Sequence, residues 1–161
     1  FASPILLYST YMHGQLDIIP TALLMGSIYY LTLKEPFYDG LFVVFLAGAL
    51  LTKLHILAVV PILFIYILKN HGLWLAVKLM SFTAVLTLLG MLPFFGHGFI
   101  ESVLFNNEQK LLTQVSFDFL NTKIYLPILA VLFIYLQEFA LTNINKELLL
   151  SFCSVLFAVF L

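Results

Sequence analysis

Charge is what this chain has least of. Only 9% of its 161 residues are charged, 63% are hydrophobic, and the mean hydropathy is +1.10. Soluble domains carry about 25% charged residues, so too little polar surface exists here to cover a water-facing shell. There is no arginine: the seven basic residues are all lysine, and the formal net charge is −1. That balance excludes a nucleic-acid partner, which would require a basic surface. One cysteine, Cys153, excludes an intrachain disulfide. The four histidines, His13, His55, His71 and His97, lack metal-ligand spacing such as His-x-x-x-His on one helix face. No zinc site is expected. Also missing are internal repeats, low-complexity tracts, an interdomain linker, and an opening basic-then-apolar signal segment.

What is present is apolar runs. In lipid every backbone N–H and C=O needs an internal partner, which leaves helices and closed barrels. Barrel strands alternate apolar and polar residues, whereas Leu41–Leu51 and Leu126–Leu136 do not alternate. The expected fold is therefore all-α, a polytopic transmembrane helix bundle treated as one region over residues 1–161. It is expected to be an internal or C-terminal piece of a larger protein. Spans are expected at Ile18–Leu33, Leu73–Met91 and Ile124–Leu141, with another starting at Glu147. Asp17 stands at the cap of the first, and Lys34-Glu35-Pro36 ends it.

Gly40–Leu68 would carry Lys53 at mid-membrane if it were one helix, at a cost of about 2.5–3.5 kcal/mol. Two short helices, Gly40–Thr52 and His55–Leu68, turning near Lys53, avoid that cost. Lys69-Asn70-His71-Gly72 reads as a loop, and Gly48 between Ala47 and Ala49 as a point of close helix approach. The one long polar stretch, Pro93–Lys123, is expected to be an external loop carrying short amphipathic helices on the membrane surface. Its acidic residues Glu101, Glu108 and Asp118 suit a solvated face. Gln137 and Glu138, near a helix end, are expected to reach water, and Cys153 to pack as a small apolar residue. The positive-inside rule places Lys34, Lys69 and Lys146 in the cytoplasm, opposite Gly14–Asp17, Lys53 and the long loop.

Polar residues concentrate at Tyr11–Asp17 and again at Thr52–His55. Groups of this kind near membrane ends line cavities or bind ligands. His13, Gln15, Asp17 and Lys53 are the candidate substrate-binding residues: lysine offers a point charge to phosphate, and Gln and Asp suit sugar hydroxyls. Each also has a plainer explanation. Asp17 suits a helix cap, Lys53 a snorkelling anchor, and His13 and His55 interfacial positions.

The segment Ser3-Pro4…Met12-His13-Gly14-Gln15-Leu16-Asp17-Ile18-Ile19-Pro20 resembles the "Pro … Gly-Gln-x-Asp" segment of GT-C glycosyltransferases, the bacterial mannosyltransferase-like members above all. Ala47-Gly48-Ala49…Thr52-Lys53-Leu54-His55…Pro61 resembles their "small-Gly … Lys … Pro" segment, in the same order and at similar spacing. The likeness covers residues 1–68. It implies an integral membrane enzyme that moves a sugar from a polyprenyl-phosphate donor to a glycan, lipid or protein acceptor. An acceptor hydroxyl would attack the anomeric carbon as the lipid phosphate leaves. The family's carboxylate base lies in an external loop upstream of the matching segment, so no catalytic residue is assigned here, and a divalent metal in the complete enzyme stays open. The implied setting is multi-pass, in a bacterial inner membrane or the endoplasmic reticulum. A transporter or lipid flippase is the alternative, since these also place polar groups beside broken helices.

Overall fold

The computed structural model describes residues 18–33, 36–94, 96, 116–119, 122–142 and 144–160. The described chain is helical, with one short β-hairpin. Six α-helices follow in order: α1 (Ile18–Leu31), α2 (Pro36–Thr52), α3 (Val60–His71), α4 (Leu73–Met91), α5 (Leu126–Ala140) and α6 (Lys146–Phe160). The hairpin pairs β1 (Ser116–Phe119) with β2 (Thr122–Tyr125), antiparallel, with Ser116 opposite Tyr125 and Phe119 opposite Thr122.

Two corrections concern how helices begin and end. The second helix opens at Pro36 instead of Gly40; the proline's missing N–H falls among first-turn donors that have no helical partner anyway. The stretch Lys69–His71 is not loop but the last turn of α3. Gly72 alone stops that helix, with φ 91°, a conformation open to glycine and strained for L side chains.

The break at Lys53 is where the cost argument placed it. Lys53 is non-helical, its N–H donating to the Ala49 carbonyl at 3.1 Å. A 3₁₀ turn, Leu54–Val59, then precedes α3. Regular α-helix does not start at His55 as expected, because Pro61 carries no N–H and its ring crowds the carbonyl four residues back. The chain takes the tighter turn until Pro61 has been passed into the first turn of α3.

In the long polar stretch, residues 97–115 lie outside the described residues, and so do Glu101 and Glu108. Its far end is corrected: Ser116–Phe119 pairs antiparallel with Thr122–Tyr125, and α5 begins at Leu126 instead of Ile124. The chain clusters into two compact units. One holds α1, α2 and Lys78–Met91; the other holds Leu57–Val77 and the chain from Leu92 onward.

In the first unit α1 packs on α2. A methyl group added at Gly26 would lie 2.5 Å from Cδ1 of Phe45, so the backbone of α1 comes close to that ring. Tyr30 joins the same cluster, stacked on Tyr38 and tilted on Phe45. In the second unit α3, α5 and α6 pack on one another. Asn145 caps α6, its Oδ1 accepting from the Leu148 N–H at 2.8 Å. Ile144 and Leu149, flanking that cap at the positions of a hydrophobic staple, are both buried.

The core is apolar, but α4 also buries two hydroxyls and exposes an apolar face. In α4, Thr83 and Thr87 are only 3% and 8% exposed. Their hydroxyls bond to the Leu79 and Thr83 carbonyls at 2.9 and 2.8 Å, so neither is left unsatisfied. Outward instead point Phe82, Val85, Leu88 and Leu89, with Trp74 83% exposed. Residues Leu73–Phe94 form the one segment, among those described, long and apolar enough to cross a membrane. Its 22 residues rise about 33 Å, matching a hydrocarbon core of roughly 30 Å. Four other helical segments are apolar but shorter: Ile18–Leu31, Tyr38–Thr52, Ile56–His71 and Pro127–Ala140.

Candidate functional site

Of the four candidate binding residues, Lys53 is described. It is half-buried at the single non-helical residue between α2 and the 3₁₀ turn, and its carbonyl accepts from the Ile56 N–H at 3.2 Å. The geometry gives the lysine a helix end rather than a helix middle. His13, Gln15 and Asp17 lie outside the described residues, as does the side chain of His55. Among the described residues no three of His, Cys, Asp and Glu gather as a group that could hold a metal ion.

A second polar centre, in the other unit, was not anticipated as one. It is built at the end of α3. The ammonium of Lys69 donates to the Glu138 carbonyl at 2.8 Å, to the Phe139 carbonyl at 2.7 Å, and to the Leu141 carbonyl. These are last-turn carbonyls of α5 and the one just beyond, which lack intrahelical donors. Beside it, Nδ2 of Asn70 donates to the Tyr66 and Ile144 carbonyls, both at 3.0 Å. Two consecutive side chains of α3 thus hold the end of α5 and the residue before the α6 cap.

At the other end of α3, the Tyr135 hydroxyl donates to the Ala58 carbonyl at 2.5 Å. In a 3₁₀ turn that carbonyl looks to the residue three positions on, which is Pro61 and has no N–H. Tyr135 supplies the missing donor.

Glu138 is the exception in this set. Its side chain is fully buried, and neither Oε1 nor Oε2 has a hydrogen-bond partner. Sequence reasoning placed Gln137 and Glu138 together in interfacial water; Gln137 is exposed, but Glu138 points the other way. The signal was faint. Residues 134 and 138 share a helix face, and Ile134 is buried with Glu138. Cys153 is a free thiol buried in α6, as its apolar surroundings suggested.

No protein-family model, curated protein or solved structure matches this chain.

Proposed function

We propose that the chain is part of a multi-pass membrane glycosyltransferase that moves a sugar from a polyprenyl-phosphate donor to a glycan, lipid or protein acceptor. In this reading the shorter apolar helices join α4 in a polytopic bundle, their ends shielded by one another or by a thinned bilayer. His13, Gln15 and Asp17 bind the sugar hydroxyls, and Lys53 meets the phosphate.

One observation carries the reading: the helix interruption falls at Lys53, inside the Gly…Lys…Pro segment that resembles the GT-C pattern. A lysine at a helix end next to a membrane can present its charge to an anionic headgroup without a buried-charge cost. The buried hydroxyls and apolar exterior of α4 support the membrane setting.

The test is transfer of a labelled sugar from a polyprenyl-phosphate donor by the full-length protein in membranes. Asp17→Asn and Gln15→Ala should each lower transfer at least tenfold, about 1.4 kcal/mol, while the protein still accumulates in membranes. Unchanged transfer in both variants would remove the site assignment.

Transport or flipping is the second reading, favoured by a different observation, the buried carboxyl of Glu138. Intramembrane acids mark proton and substrate paths in transporters. Proteoliposomes separate the two: a transporter moves solute or lipid without forming a glycosidic bond.

A further inference from the structure

We propose that Glu138 is a proton-binding site, held as the neutral acid inside the α3–α5–α6 unit, whose ionisation draws Lys69 away from the end of α5. The argument begins with the donors of Lys69. An ammonium has three N–H bonds, and all three are directed at the carbonyls of Glu138, Phe139 and Leu141. None remains for the Glu138 carboxylate, although the charge of Lys69 acts on it. Both carboxyl oxygens are fully buried and unpartnered. An ionised carboxylate cannot be kept in such a place without a counter-charge or a hydrogen bond. The neutral acid can.

Among the described residues, the titratable groups that face Glu138 are few. From α3 comes Lys69, from α6 the buried Cys153 thiol, and from α5 itself Tyr135, all within its electrostatic reach. The Tyr135 hydroxyl is already committed to the Ala58 carbonyl. The hairpin runs into the opposite end of α5, about 18 Å away at 1.5 Å per residue. Lys146 and Glu147, at the start of α6, are exposed. Among the described residues, Lys69 is the cation that acts on Glu138 and could compensate its ionised form.

The step balances simply. The Glu138 O–H bond breaks and its proton goes to solvent; the carboxylate takes a hydrogen bond from Lys69, which keeps its own charge. At least one of the three carbonyls then loses its donor, and the hold of Lys69 on the end of α5 loosens. Proton occupancy of one buried acid is thereby linked to the order of a helix connection. The inference does not rest on sugar transfer, and its readout is separate from any activity.

The test uses a hydrophobic carbodiimide, which adds to neutral carboxylic acids in apolar surroundings, on the protein in membranes. Peptide mass mapping should find an adduct at Glu138 at neutral pH and none at exposed Glu147, with labelling lost as pH rises. In Lys69→Met, labelling should persist to more alkaline pH, because the compensating charge is gone. Infrared difference spectra against Glu138→Gln should show the carbonyl stretch of a neutral acid in the wild type alone. Absence of both adduct and stretch in the wild type at neutral pH overturns the proton site. An unchanged labelling profile in Lys69→Met overturns the link to Lys69. The wild-type labelling needs no variant to fold.

Discussion

At the scale of single residues, the second unit depends on side chains that complete backbone bonds the helices cannot make for themselves. Tyr135 shows this most simply, since the proline that bends the chain before α3 also leaves the Ala58 carbonyl without its donor. Tyr135→Phe keeps the ring and removes only the hydroxyl. A buried acceptor left unpaired costs about 1–3 kcal/mol, so the variant should lose stability by that amount in a thermal or denaturant melt in detergent. A change under a few tenths of a kcal/mol would mean that water or another donor serves Ala58. Glu138 teaches a different lesson about legibility. Its neighbour Gln137 is exposed while Glu138 is buried, and a position near a helix end does not reveal which face turns inward. The facing partners, Lys69 and Cys153, come from far along the chain.

At the scale of elements, small residues decide how closely helices approach, though not at the position the sequence pattern favoured. Ala47 and Ala49 are buried as expected, but a methyl group at Gly48 would sit 3.5 Å from Leu23, an ordinary contact. Between α1 and α2 the tight approach is at Gly26, against the rigid ring of Phe45. The two glycines should therefore respond in opposite senses. Gly48→Ala should stabilise by about 0.5–1 kcal/mol, because alanine removes glycine's conformational freedom and meets no clash. Gly26→Ala should destabilise by about 1–3 kcal/mol through overpacking. Matching shifts in melting temperature for both would show that the α1–α2 contact is not as close as the geometry has it.

The same scale shows why some boundaries were readable. Hydropathy set both ends of α4, where Gly72 and Pro93 bracket an unbroken apolar run. The turn at Lys53 followed from the cost of a buried charge. The hairpin was overlooked because strands of four residues are too short to outweigh a helical pattern read over a longer window. Its alternation, Ser-Phe-Asp-Phe and Thr-Lys-Ile-Tyr, is nonetheless present. Of the candidate site, the helix break at Lys53 was legible through its charge; a binding role for Lys53, as for His13, Gln15 and Asp17, rests on sequence pattern alone.

At the scale of the whole molecule, the question is which solvent surrounds the apolar exterior. In water, the outward Phe82, Val85, Leu88 and Leu89 of α4 would form a patch that soluble monomers do not expose. In lipid the same face is at equilibrium, and the inward Thr83 and Thr87 bond to backbone within the helix. The two solvents predict opposite consequences for one substitution. Leu88 is 61% exposed and well inside α4, so Leu88→Lys adds a charge without disturbing packing. In water it would raise solubility. Inside a membrane-spanning helix, somewhat past its midpoint, it costs up to about 2.5–3.5 kcal/mol of insertion, enough to shift an insertion equilibrium by as much as roughly a hundredfold. The expected result is that wild-type protein stays with membranes through alkaline carbonate washing while Leu88→Lys is inserted poorly or degraded. A wild-type chain recovered as a soluble monomer without detergent would reverse the reading of α4, and with it the bilayer against which Lys53 is proposed to act.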